Sequence, residues 1–443
     1  MAITPQDSFG GCESYGESVA RRDHSRRQVL GLGLAGVLTW ASSSALGQVA
    51  LQAPDRHGNV VVVVFLRGGW DALNVVAPYA EEHYYRARPG LALARPGAGG
   101  SEAQKLKDLD GFFGLNPALL PLWPAWEAGE MAFIHAIGSG DQTHSHFEAM
   151  ATMEAGARRQ ASEADGGWLA RHLQSAGDQW PLRAVAWGGM VPDSLVGYSS
   201  AVGVNSLTEY RLTEPALLAR LEAMYGGAND EVGQAGQAIL SVLRRFESVD
   251  PKDYRPERGA TYPDSELGRA LRETAFLIKK DVGLEIACMD SNGWDSHVTQ
   301  GTTDGWLWTL LRDLADSLAA FRRDLGPEMK RVTVVVQSEF GRRLYENSGL
   351  GTDHGEGGAM MLMGAGVKGG RVYGTWPGID PAIAPWPGLL KVTTDYRDVL
   401  ADVVTQRLKN PQVNAVFPGR AGRSLGVNQA GRPAQEAGKR TPT

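Results

Sequence analysis

Six short apolar runs punctuate this chain: Val60–Leu66, Met131–Ile137, Ala184–Trp187, Leu284–Met289, Val332–Val336 and Met360–Met363. Their hydrophobicity is continuous rather than alternating, the pattern of strands covered on both faces, as in a parallel sheet. Helical periods fall between several of them. The clearest is Trp306–Leu325, where Leu307, Leu310, Leu311, Leu314, Leu318, Phe321 and Leu325 form one stripe. Thr302, Thr303 or Asp304 can cap its start, and Gly326-Pro327 stops it. Leu267, Leu271, Ala275 and Ile278 mark a second helix. Strands alternating with helices predict an α/β fold, a three-layer sandwich around a mostly parallel central sheet. Residues 215–250 read as a small helical insertion, and the Gly-, Arg- and Pro-rich stretch 419–443 as a flexible tail.

Four of the runs lead straight into polar loops, and a parallel sheet brings all four loops to one edge, where ligands bind. The first loop, "RGGWDALN", carries Arg67, Asp71 and Asn74. Asp71 can also simply cap the next helix. The second, "HAIGSGDQTHSHFEAM", carries His144, Ser145 and His146. Ser145 and Glu148 have the spacing of a capping box, but a hydroxyl at a helix start is also well placed as a nucleophile. The third, "CMDSNGWDSH", holds Asp295 and His297, which can share one metal if the loop is bent. The fourth, "SEFGRRLYENSGLGTDHG", holds Glu339, Arg342, Arg343, Glu346, Asn347, Asp353 and His354. Carboxylate plus imidazole suits zinc, manganese or iron better than calcium, and arginines offer forked donors to phosphate, sulfate or carboxylate or else form structural salt bridges.

The first 47 residues read as an export label. Arg26-Arg27 precede a 13-residue apolar stretch, Val29–Ala41, and Ala45 and Gly47 have the spacing of a cleavage site. A membrane span needs roughly 20 residues, so the mature form is expected to carry no transmembrane anchor and to be periplasmic or secreted. With Cys12 removed, Cys288 stands alone as a small buried hydrophobe and no intramolecular disulfide is expected. A net charge of −6 gives no reason to expect nucleic acid as a partner. Two G-x-G-x-x-G spellings, at Gly31–Gly36 and Gly364–Gly369, lack the strand before or the helix after that a dinucleotide requires.

"RGGWDALNVVAPY", "SHFEAM", "GWDSH", "SEFGRR" and "GTDHG" resemble, in order and spacing, a family of exported bacterial proteins known as domain of unknown function 1501. That family looks like a branch of the alkaline-phosphatase-like superfamily. The resemblance implies a metal-dependent hydrolase of phosphate or sulfate esters with one or two divalent transition-metal ions, zinc or manganese foremost. It assigns Asp295 and His297 to one ion and Asp353 and His354 to the other, with Glu339 an added acidic ligand and Asp71 the acid near the first strand. Ser145 corresponds to the nucleophile, His146 to a proton carrier or a member of the metal shell, and Arg67, Asn74 and Arg342 to groups holding a small anionic ester. No histidine follows His354, which leaves His144 or His146 to supply a third imidazole. The superfamily's sulfatase signature is absent after Ser145, which argues against formylglycine chemistry. Arg67 stands where the superfamily usually has an acid. That departure keeps a second class open: a non-catalytic periplasmic binding or assembly protein whose partner is another exported protein.

Overall fold

The structure is a computed structural model and describes residues 58–157, 166–176, 182–208, 251–364, 366–420 and 424–429, with a few isolated positions between them. The export label and almost all of the expected helical insertion at 215–250 lie outside the described residues.

In chain order, the elements that frame the site are β1 (Val60–Leu66), β2 (Met131–Gly138), α1 (His146–Ala155), α2 (Trp168–Ser175), β3 (Ala184–Trp187) and β4 (Ala201–Val204). They continue with α3 (Glu266–Lys279), β5 (Ile286–Ser291), α4 (Gly305–Leu325), β6 (Val332–Gln337), β7 (Arg342–Glu346) and β8 (Thr352–His354). The last are β9 (Gly358–Gly364), β10 (Arg371–Tyr373), β11 (Thr394–Asp395) and α5 (Tyr396–Asp402). The nine-stranded central sheet runs in the order β10-β2-β9-β6-β1-β5-β3-β4, with β11 also pairing to β2. The pairings β1–β5, β1–β6, β3–β5, β3–β4, β2–β10 and β2–β11 are parallel, whereas β9 is antiparallel to both β2 and β6. Reversing β9 brings β2 back into the direction of β6. The C-terminal ends of β1, β2, β5 and β6 therefore share one edge, as the apolar runs predict.

Both faces of the sheet are covered. Along β1, Val60, Val62, Val64 and Leu66 enter a core with Leu271 of α3 and Leu311, Leu314, Leu318 and Phe321 of α4. The alternate residues Val61, Val63 and Phe65 enter a second core with Met150 and Met153 of α1, Leu169 of α2 and Val399 and Leu400 of α5. Two buried faces explain why β1 needs an unbroken apolar run rather than alternation. A mixed α/β architecture around a large, mostly parallel sheet is thus what the chain adopts.

Smaller differences have local causes. The run placed at Leu284–Met289 forms its strand at Ile286–Ser291, where Phe65 pairs with Asp290 and Leu66 with Ser291. Asp304 does begin α4, but without a side-chain cap bond. The expected flexible tail is packed where it is described. Val427 is fully buried in the second core, its carbonyl accepts from Lys368 N–H at 2.8 Å, and Gln429 N–H donates to Gly366 O at 2.8 Å. One buried valine and two backbone bonds anchor a stretch whose composition alone reads as unstructured.

Candidate metal centre

The first loop turns back on itself at Gly68 (φ +126), where a Cβ would lie 2.4 Å from Asp295 N. Only glycine lets the end of β1 approach the Asp295 loop so closely. Arg342, at the start of β7, ties the edge together from beneath. Its Nε donates to Gly69 O at 2.6 Å, Nη1 to Thr352 O at 2.8 Å, and Nη2 to Gly68 O, to Trp294 O at 3.2 Å and to Asp295 Oδ1 at 2.6 Å. The side chain is 1% exposed. Expected to hold substrate, Arg342 instead fixes the carboxylate of Asp295 from within the protein.

Three imidazoles converge above it. His354 Nε2 lies 2.9 Å from His146 Nε2 and 2.8 Å from His297 Nε2. Asp295 Oδ1 is 2.9 Å from His297 Nε2 and 3.1 Å from His354 Nε2, and its Oδ2 is 3.4 Å from His146 Nε2. Among the described residues, ligand atoms of His146, Asp295 and His354 all lie within 4.8 Å of one another. Asp295 and His297, assigned to one ion, and His354, assigned to the other, therefore meet at a single point, whereas Asp353 does not reach it.

Each ring also has a partner at its other nitrogen. His146 Nδ1 is 2.6 Å from Glu339 Oε1, His297 Nδ1 is 3.2 Å from Asp353 Oδ1, and His354 Nδ1 is 2.7 Å from His144 O. His144 itself has φ 53, a left-handed conformation uncommon outside glycine. All three acceptors direct the proton of a neutral ring to Nδ1, leaving the Nε2 lone pairs facing one another. His354 Nε2 cannot donate to both neighbours at once. Such crowding of lone pairs around a carboxylate is relieved by a positive charge at the centre. A tetrahedral site with arms of ~2.0–2.1 Å has ligand-to-ligand edges of about 3.3 Å, so the rings need spread only by about half an ångström to admit an ion.

Without an ion at the centre, the surrounding carboxylates draw the positive charge onto the rings instead. Burial works against a charge on His146, but Asp295 and Glu339 outweigh it and hold its pKa up to about 9. Burial likewise opposes ionisation of Asp295, yet bonds from His146, His297 and His354 and the charge of Arg342 keep its carboxyl well below the usual range. A hydrogen bond to Asp295 raises His297 against a smaller opposing effect of burial. Phe340 walls one side, its ring centroid 4.9 Å from that of His146 and 5.1 Å from that of His354.

Other expected site residues are committed elsewhere. Glu339, 1% exposed, stands behind His146; its Oε1 also accepts from Gly68 N–H at 2.8 Å and its Oε2 from Ser338 Oγ at 2.9 Å. Asp353 stands behind His297, accepting from Asn347 Nδ2 at 3.0 Å and Arg343 Nη1 at 3.3 Å. Asp71 is fully buried, with Arg88 Nη1 at 2.6 Å and Gln300 Nε2 at 2.7 Å from its Oδ2. Asn74 is equally buried, donating to Leu91 O and accepting from Tyr84 and Arg88. Arg67 pairs with Glu154 at 2.9 Å and Asp290 at 2.9 Å. An arginine between two carboxylates has little charge left for an ester. Glu346 accepts from Gly90 and Leu91 N–H groups rather than facing the centre. Ser145 begins α1, and its side chain makes no cap bond, so the capping box is not formed.

Arg88, Gln300 and Glu154 were not among the expected site residues. Glu154 had a signal of its own: an acid eight residues after His146, beside the apolar Met150 and Met153 that α1 buries.

No curated protein matches the chain in sequence. Among solved structures, the PH0037 protein from Pyrococcus horikoshii aligns over 70% of this chain and 86% of its own at 10% identity, with a TM-score of 0.27. A crystal structure described as Ps i-CgsB aligns over 84% of this chain and 75% of its own, also at 10% identity, with a TM-score of 0.32. Both likenesses are too slight to carry an argument. Residues 275–423, which contain Asp295, His297, Glu339, Asp353 and His354, match the family model described as protein of unknown function (DUF1501), over about a third of the chain.

Proposed function

We propose that the chain is an exported, metal-dependent hydrolase of a small phosphate or sulfate ester, built on an alkaline-phosphatase-like sandwich. The observation that carries this reading is the convergence of His146, His297 and His354 Nε2 on the Asp295 carboxylate, with every Nδ1 held by an acceptor. Histidines that ligate through one nitrogen and donate from the other are the usual arrangement around a bound transition metal. The donor set fits one divalent ion, zinc or manganese, better than two.

A bound cation there supplies Lewis acidity, neutralising charge on ester oxygens and making water more acidic. The chain's own residues do the rest. Glu339, Asp353 and the His144 carbonyl select the tautomers, and Arg342 orients Asp295. Ser145 lies between two residues tied to the centre: the His144 carbonyl meets His354, and His146 is a member. Its hydroxyl, free of a cap bond at the positive end of α1, is assigned the nucleophile's role, and an anion is also stabilised there. Phe340 limits access of water from one side.

One observation favours a second reading, a non-catalytic binding or assembly protein. Arg67, Asn74 and Arg342, which were expected to grip the ester, all have internal partners. The test is metal analysis of purified mature protein, with hydrolysis of p-nitrophenyl phosphate and sulfate before and after chelation. Metal together with chelator-sensitive turnover supports the hydrolase. Absence of turnover, with or without metal, supports the second reading, and failure to bind zinc or manganese at all sinks the hydrolase.

A further inference from the structure

A cavity of 890 Å³ lies on the same sheet edge as the centre, over the ends of β1, β3 and β5. It meets the centre through the chain: Phe147 follows His146, Arg67 precedes Gly68, and Asn292 lies three residues before Asp295. Its volume is at the upper end of those that take small organic ligands, well beyond what a phosphate or sulfate group alone would fill.

The lining carries four carboxylates, Glu154, Asp193, Glu266 and Asp290, against two cations, Arg67 and Arg269. Glu154 and Asp290 already compensate Arg67, which leaves Asp193 and Glu266 in excess over Arg269. An additional anion is disfavoured there and a positive charge is favoured. Trp187 and Phe147 add aromatic surface suited to a ring or an ammonium group. A second observation concerns hydrogen bonding. Arg67 is 8% exposed, and its Nε–H has no partner among the described residues. A buried donor of this kind calls for an oxygen acceptor.

We propose that this cavity holds the non-reacting part of the substrate, and that this part is an aminated polyol. Its hydroxyl oxygens accept from Arg67 and donate to the carboxylates, and its ammonium group answers the negative excess at Asp193 and Glu266. The assignment rests on the hydrolase reading only for the word substrate; the binding itself does not depend on a metal.

The test therefore uses chelator-treated, full mature protein and calorimetric titration with glucosamine, glucose and glucuronate, which share a ring and differ in charge. Glucosamine is expected to bind about tenfold or more tightly than glucose, with glucuronate weakest. The double variant Asp193→Asn, Glu266→Gln removes the preference for glucosamine over glucose. Ala151→Trp, which projects a bulky ring into the cavity from α1, weakens binding of every sugar about tenfold or more. If that variant fails to fold by circular dichroism, the double variant carries the test alone. No saturable binding by the wild type, glucuronate binding as well as glucosamine, or an unchanged preference in the double variant overturns the proposal. Zinc uptake, measured separately, reports on the metal reading whatever the sugars do.

Discussion

His146 Nδ1 lies 2.6 Å from Glu339 Oε1, and that same oxygen accepts the Gly68 N–H at 2.8 Å. One buried carboxylate thus orients an imidazole of the centre and pins the turn at the end of β1. Replacing it with glutamine keeps an acceptor for one of these donors and removes the negative charge. Glu339→Gln should weaken zinc or manganese binding by about 10–100-fold, the usual effect of losing an outer-shell partner. Competition titration with a chromogenic chelator measures it, and affinity equal to wild type would count against the centre.

Asp71 separates a ligand from a structural acid. Its carboxylate is fully buried against Arg88. Asp71→Asn should leave metal content unchanged and cost about 3–5 kcal/mol of stability, because Arg88 is left charged and buried without its partner. His354→Ala should do the reverse, losing the metal at a smaller cost to the fold. Metal analysis and urea unfolding of both variants read the two effects separately.

Ser145 makes no cap bond, so Ser145→Ala should forgo the cost of about 0.5–2 kcal/mol that accompanies loss of a real N-cap. Under the hydrolase reading, kcat on an ester falls to near background while metal content and melting temperature hold. Full activity in this variant would remove Ser145 from the chemistry.

Metal removal gives a prediction that needs no substrate. An ion that binds only the folded chain stabilises it by about 2.7 kcal/mol when present at 100 times its Kd. Thermal unfolding should therefore shift upward with zinc or manganese and return with chelator. His297→Ala should abolish most of the shift.

Far from the centre, Asp324 is fully buried and accepts from Lys279 Nζ at 2.5 Å, Tyr254 Oη at 2.7 Å, Tyr262 Oη at 2.9 Å and Glu257 N–H at 2.8 Å. Burial opposes its ionisation, but these donors outweigh it and hold the carboxyl below its ordinary value. A depressed pKa stabilises the fold above the unfolded value of about 3.9. That contribution is lost as pH falls through the lower, folded value. Asp324→Asn should be less stable at pH 7 and show a shallower loss of stability below about pH 4, both read from urea unfolding at a series of pH values.

Much of the scaffold was legible because burial on two faces leaves a mark in composition. Val60–Leu66 and Ala184–Trp187 were bounded as observed, and α4 began one residue early, since a strand inside a sandwich needs apolar side chains on both sides. The hairpin of β7 and β8 left no such mark. Its residues are polar and half-buried, and what holds Arg342 against His354 is pairing across the turn rather than periodicity. The packed segment around Val427 was missed for a similar reason, because one anchored valine is invisible in a Gly- and Arg-rich stretch.

The four groups that meet at the edge of the sheet, His146, Asp295, His297 and His354, can each be picked out from its loop. Which of the acids face a centre and which stand behind it was decided only by tertiary structure. Glu339 and Asp353 became orienting partners, and Arg342 and Asp71 became buried anchors, because hydrogen-bond direction depends on neighbours that lie tens to hundreds of residues away. Chain order specifies that a carboxylate sits at the end of a strand. It does not specify whether the nearest donor is an imidazole, a guanidinium or a backbone amide, and that choice separates a ligand from its support.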